Sequence, residues 1–139
     1  MKIIYRISHV LQMTVNFTCV DGTISVSPNI TSYFKTLSNM GNNFDTSYHL
    51  LTKSRMQLIL HFIENTKVVH LDEFGDVMFD GFLTGFFSRL GDVEVMTLMN
   101  IADYYNYQHL FKTCAQEVAK RYQDIKKQEA LNKVLNASL

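Results

Sequence analysis

Apolar and polar positions nearly alternate from Met13 to Cys19: Met13, Val15, Phe17 and Cys19 or Val20 on one side, Thr14, Asn16 and Thr18 on the other. A period of two is that of a half-buried strand. Asp21-Gly22 is a tight-turn dipeptide, and Thr23-Ile24-Ser25-Val26 alternates again, so a β-hairpin is expected over 13–27. Ser27-Pro28 then opens a helix, with Ser27 as N-cap and Pro28 at the first helical position. Ile30, Tyr33, Phe34 and Leu37 take one face of it, and the Asn- and Gly-rich stretch 39–43 ends it. Residues 47–51 form a third strand candidate. Thr52 caps the next helix, where Met56, Ile59, Leu60 and Ile63 follow the i, i+3, i+4, i+7 spacing of a core-facing stripe. Leu58 and Phe62 widen that stripe, which implies burial on more than one side.

Residues 66–81, with Gly75, Gly81 and scattered acids, read as an irregular connection with a short strand near Lys67–Leu71. Residues 82–90 form one short helix. Gly91-Asp92 breaks it, Asp92 caps the next, and Val95, Leu98, Met99 and Ala102 make a core stripe. Asn106 marks a turn before a helix that starts near Gln108 and carries Leu110, Phe111, Cys114, Ala115 and Val118. A last, polar helix over about 126–136 shows Ala130, Leu131, Val134 and Leu135. A hairpin, a helix, a strand and then only helices define an α+β fold rather than an alternating βαβ one.

Composition narrows the function classes. The 139 residues suffice for one domain, and 47% apolar with 19% charged residues is ordinary for a globular chain. Thirteen basic and thirteen acidic residues cancel, so no net field recruits nucleic acid or an anionic membrane. The cations Lys120, Arg121, Lys126 and Lys127 are interrupted by Glu117, Asp124 and Glu129 and read as a solvated helix face. Cys19 and Cys114 lie too far apart for a disulfide framework and fit buried thiols in a reducing compartment, the cytoplasm or nucleus. The three Asn-x-Ser/Thr sequons at Asn16, Asn29 and Asn136 would matter only in a secreted chain, and the N-terminus lacks the apolar run and cleavage site of a signal peptide. No run approaches the roughly 18 apolar residues of a membrane span.

Candidate chemistry is sparse. His9, His49, His61, His70 and His109 have no zinc-like spacing with the cysteines, and His70-Leu71-Asp72-Glu73 reads as an exposed loop rather than a metal site. Cys114 sits between apolar neighbours, as a structural thiol does. Residues 81–85 lack the Gly-Lys-Ser/Thr of a phosphate loop, and Asp76, Asp80 and Asp92 lack calcium-loop spacing. No catalytic residue, cofactor or metal is expected.

Two stretches carry a resemblance. VNFTCVDGTISVS, with SYFKTLSNMG after it, is similar to the opening hairpin and next helix of the BTB/POZ superfamily, as seen in the F-box-binding adaptors of SCF ubiquitin ligases and in Elongin C. HLLTKSRMQLILHFIEN fits the strand and helix that follow. FFSRLGDVEVMTLMNIADYYNYQHLFKTCAQEVA resembles, without a gap, an apolar helix, an Ala-x-Tyr turn and a helix ending in Val-Ala, here Leu98, Ala102, Tyr104, Leu110, Val118 and Ala119. Asp103 stands where the family has Asn. The resemblance implies a BTB/POZ-like fold over 13–122, an N-terminal extension 1–12 and a C-terminal helical extension 123–139. It further implies a non-catalytic bridge in a ubiquitin ligase. Asp103, Tyr104, Tyr105 and Asn106 would then face a cullin N-terminal domain, and Leu110, Val118, Tyr122, Leu131 and Leu135 an F-box or similar box protein. The alternative is a BTB-type module without a cullin that self-associates, as a homodimer, or docks in another assembly.

Overall fold

The computed structural model describes residues 14–37, 43–44 and 48–137. The extension 1–12 with His9, Met13, residues 38–42 and 45–47, and residues 138–139 lie outside the described residues. In chain order the elements are β1 (Val15–Cys19), β2 (Gly22–Val26), α1 (Ile30–Tyr33), β3 (Asn43–Phe44), α2 (Lys53–Asn65), α3 (Gly81–Ser88), α4 (Asp92–Tyr104) and α5 (Gln108–Ala137). The architecture is α+β. A three-stranded sheet ordered β2-β1-β3 has β2 antiparallel and β3 parallel to β1.

The hairpin follows its sequence. Val15 pairs with Val26 and Cys19 with Gly22. Val15, Phe17 and Cys19 point into the core, whereas Asn16 is exposed. Gly22 has φ of 147°, a backbone conformation that favours glycine at the turn. Its neighbour Asp21 reaches the next layer: Oδ1 accepts the Lys53 N–H at 2.8 Å. The Thr52 hydroxyl accepts the Arg55 N–H at 3.2 Å. Two of the orphan donors at the start of α2 are thus satisfied, one from the hairpin and one locally. Met56, Ile59, Phe62 and Ile63 are buried along that helix.

Four expectations need correction. Among the described residues the third strand is Asn43–Phe44, paired with Asn16 and Phe17, and not 48–51. Tyr48–Leu51 is instead a turn closed by Leu51 N–H on the Tyr48 carbonyl at 2.9 Å, and the Leu51 carbonyl accepts the Val20 N–H. The helix after the hairpin spans one turn, with Asn29 rather than Ser27 at the cap position. Phe34 leaves helical geometry at ψ 81°, and its ring is fully buried against Tyr105, so packing overrides propagation in so short a helix. Asp92 does not cap α4. Gly91 holds that position, and Asp92 lies with Glu94 in the first turn, where acids favour the helix dipole. Finally, the separate helix over 126–136 does not exist. Residues 108–137 contain neither glycine nor proline, so α5 runs unbroken for 30 residues. From Tyr122 to Ala137 every residue is exposed.

The connection 66–80 is irregular, as expected, with one antiparallel bridge, Leu71 to Val77, in place of the strand near Lys67–Leu71. Among the described residues no helix is long and apolar enough to cross a membrane.

Candidate functional site

The turn from α4 to α5 is built by its own backbone. Tyr107 N–H donates to the Ala102 carbonyl at 2.8 Å, and Asn106 N–H donates to the Asp103 carbonyl at 3.1 Å. Asn106 has φ of 55°. These are the two bonds and the left-handed residue of a Schellman closure, with asparagine in the place usually given to glycine. Asn106 Oδ1 accepts from Gln108 Nε2 at 2.6 Å, which supports that conformation.

This turn separates the tyrosines. Tyr105 is fully buried. Its ring stacks on Phe34 at 4.9 Å and meets Phe17 edge-on at 5.8 Å. Tyr107 is also buried, edge-on to Tyr33, and burial raises its hydroxyl pKa. Tyr104 points the other way. It is 47% exposed and stacks on Tyr48 with ring centroids 4.1 Å apart and planes 10° apart. Thr36 clamps the turn from below: its N–H donates to the Tyr105 carbonyl and its hydroxyl to the Tyr104 carbonyl. Asp103 and Asn106 are exposed beside Tyr104. Of the four turn residues singled out, Asp103, Tyr104 and Asn106 therefore form one accessible face, and Tyr105 is corrected to core. Tyr48 joins that face without having been singled out, because it lies in an irregular turn with no periodic signal.

The second group also divides. Leu110 is fully buried and belongs to the core. Val118 is half-buried, and Tyr122, Leu131 and Leu135 are exposed. In one continuous helix Tyr122 and Leu131, nine residues apart, fall two and a half turns apart and so on opposite sides. The five residues do not make a single face. Val118 and Tyr122 instead line a groove of about 150 Å³ with Val95 and Met96 of α4 and Ile125 of α5. Ile125 was missed, although its spacing from Val118 and Tyr122, i, i+4, i+7, is a helical stripe. Arg121, whose Nη1 donates to Asp92 Oδ1 at 2.7 Å, also lines it.

The groups with chemical potential are Cys114, His109 and the segment from His70 to Glu73. Cys114 is fully buried in α5, and burial pushes its thiol up to about 12, so it is no thiolate at neutral pH. Among the described residues no group of three or more His, Cys, Asp or Glu is placed to hold a metal ion. His70, Leu71, Asp72 and Glu73 are exposed on the connection before α3. His109 packs on the ring of Phe62 at 5.3 Å with its Nε2 buried and without a hydrogen-bond partner among the described residues. Burial lowers its pKa below 6.5. The folded state thus favours the neutral ring, and the stabilisation is complete above 6.5 and lost as pH falls from there through the folded value. The urea midpoint of the wild type is expected to drop between pH 7.5 and 5 more than that of His109→Leu. Parallel curves for the two proteins would show that His109 carries no such linkage.

Comparison with protein-family models and with curated proteins gives no match to this chain.

Proposed function

We propose that this protein is a non-catalytic adaptor of BTB/POZ type that joins a cullin scaffold to an F-box-type receptor, in the cytoplasm or nucleus. The observation that carries the reading is Tyr104. It is the tyrosine of the Ala102-Asp103-Tyr104 segment, the position at which the resembling family meets its scaffold, and its ring is presented outward on Tyr48 while its neighbour Tyr105 is consumed by the core. An aromatic body with a polar tip, flanked by Asp103 and Asn106, suits a protein contact. The groove at Val118 and Tyr122 supplies a second, separate apolar face for the receptor, and a bridge needs two faces. Leu131 lies on the opposite side of α5 from Tyr122 and is not part of that second contact.

Affinity purification followed by mass spectrometry tests the reading. Asp103→Lys with Tyr104→Ala is expected to lose the cullin at least about 30-fold, the cost of about 2 kcal/mol for removing a central aromatic anchor, while retaining box proteins. Tyr122→Asp is expected to do the reverse. A partner list that is the same for wild type and both variants, or that contains neither class, overturns the assignment.

A further inference from the structure

The connection between α2 and α3 is where apolar side chains are least covered. Val68, Val69, Leu71, Phe74 and Met78 are all exposed, Phe74 at 82%. Yet the backbone beneath Phe74 is held in place. One oxygen of Asp72, Oδ1, accepts the N–H groups of both Phe74 and Asp76 at 2.9 Å. Asp72 N–H donates to the Asp76 carbonyl at 2.8 Å, and Gly75 takes the left-handed φ of 81° that the turn requires. The Gln116 side-chain amide fastens this turn to α5 by exchanging two bonds with Val77, at 2.8 and 3.0 Å, and Lys112 donates to the Gly75 carbonyl. A phenyl ring displayed on so well-anchored a tip leaves most of its apolar surface in water.

The groove between α4 and α5 is its complement. At about 150 Å³ it has the size that takes one benzene ring. Its walls are Val95, Met96, Val118, Tyr122 and Ile125, and the Arg121–Asp92 pair also lines it. Lys126 lies 5.5 Å over the Tyr122 ring and also pairs with Glu129 at 3.5 Å. The charges are complementary too. Residues 67–80 carry Asp72, Glu73, Asp76 and Asp80 against Lys67 alone, whereas residues 120–137 carry Lys120, Arg121, Lys126, Lys127 and Lys133 against Asp124 and Glu129. Gln116, which fastens the tip, and Ile125, which lines the groove, are nine residues apart on α5 and so on opposite sides of it. A chain cannot insert its own Phe74 into its own groove, but a second copy can.

We propose that Phe74 of one copy seats in the groove formed by Val95, Met96, Tyr122 and Ile125 of another, with the acidic tip facing the basic end of α5, so that the protein self-associates head to tail. The contact is heterologous and open-ended, unlike a twofold homodimer. It does not rest on the adaptor reading, and a receptor in the same groove would displace it.

Sedimentation velocity on the full chain over roughly 10 µM to 1 mM tests this, a range suited to a small, weak contact. The weight-average mass of the wild type is expected to rise above 16.1 kDa with concentration and to fall back when salt is raised to about 0.5 M. Phe74→Asp, which keeps only the groove, and Ile125→Asp, which keeps only the tip, are each expected to stay monomeric. Their equimolar mixture should form one complex of twice the chain mass and nothing larger, which also reports that both are folded. A monomeric wild type, assembly that survives in either single variant, or a mixture that stays monomeric overturns the proposal. Phe74→Ser with Met96→Glu carries the same expectation should either first variant lose wild-type circular dichroism.

Discussion

Tyr105→Ala is expected to lower the stability of the chain by about 3–5 kcal/mol, while Tyr104→Ala, one residue earlier, costs about 1 kcal/mol or less. The Tyr105 ring is wholly inside and touches elements far apart in sequence: Phe17 on β1, Phe34 after α1 and Tyr48 before α2. Truncation removes the transfer free energy of the ring and leaves a hole that three other aromatics border, and close-packed neighbours relax only partly into such a space. Against a typical total of about 5–15 kcal/mol, that loss leaves a large unfolded fraction in a chain at the lower end. Tyr104 loses a stack on Tyr48 in contact with water, a smaller matter. Urea unfolding followed by circular dichroism reads both. Equal midpoints for the two variants would mean that the rings are not divided between core and surface as described.

Arg121→Met is expected to cost about 2–4 kcal/mol. This side chain, 22% exposed, joins three elements. Its Nη2 donates to the carbonyls of Phe87 and Leu90 at 2.8 and 2.9 Å, at the C-terminus of α3, its Nη1 to Asp92 on α4, and its Nε to Glu117 on α5 at 3.0 Å. Removing it takes the guanidinium from the Leu90 carbonyl and leaves the buried carboxylate of Glu117 without its cation, which is the expensive way to break a buried pair. Replacing both partners, Arg121→Met with Glu117→Leu, should recover part of the loss. Arg121→Lys should recover little, because one ammonium cannot reproduce a planar fork that meets four acceptors. Asp92→Ala should cost under about 1 kcal/mol, since its carboxylate is largely in water. Chemical denaturation of the four variants checks the ranking, and an Asp92→Ala loss equal to that of Arg121→Met would contradict it.

The hairpin was legible because a period-two pattern and Asp21-Gly22 agree with each other and with the neighbouring helix that Asp21 caps. The start of α2 and the turn at Asn106 were legible for the same reason: local chemistry at Thr52 and Asn106 suffices to make them. Where the reading failed, the deciding contacts were distant. The third strand is set by Asn43 and Phe44 meeting Asn16 and Phe17, which no local pattern announces. Tyr104 and Tyr105 have the same side chain, and only the rotation of α4 against the Phe17–Phe34 cluster sends one out and the other in. Leu110 and Leu131 are likewise indistinguishable by type, and burial separates them. Arg121 read as one charge in a run, since its acceptors on α3 are backbone carbonyls that sequence does not display. The polar composition after residue 122 suggested a separate helix, whereas the lack of any breaker in 108–137 was the stronger signal.

The unbroken α5 has a thermodynamic consequence. Its first half is locked by Leu110, Cys114 and the Arg121 network, so the costly first turn of helix is already formed when the chain folds. The second half then extends mainly by propagation, with every residue from Tyr122 to Ala137 exposed. Its order is graded rather than all-or-none. Amide exchange along α5 should quicken residue by residue beyond Tyr122, and helicity there should melt gradually with temperature, below the cooperative transition of the body. Any protein that grips this end therefore pulls on a zipper that is already started.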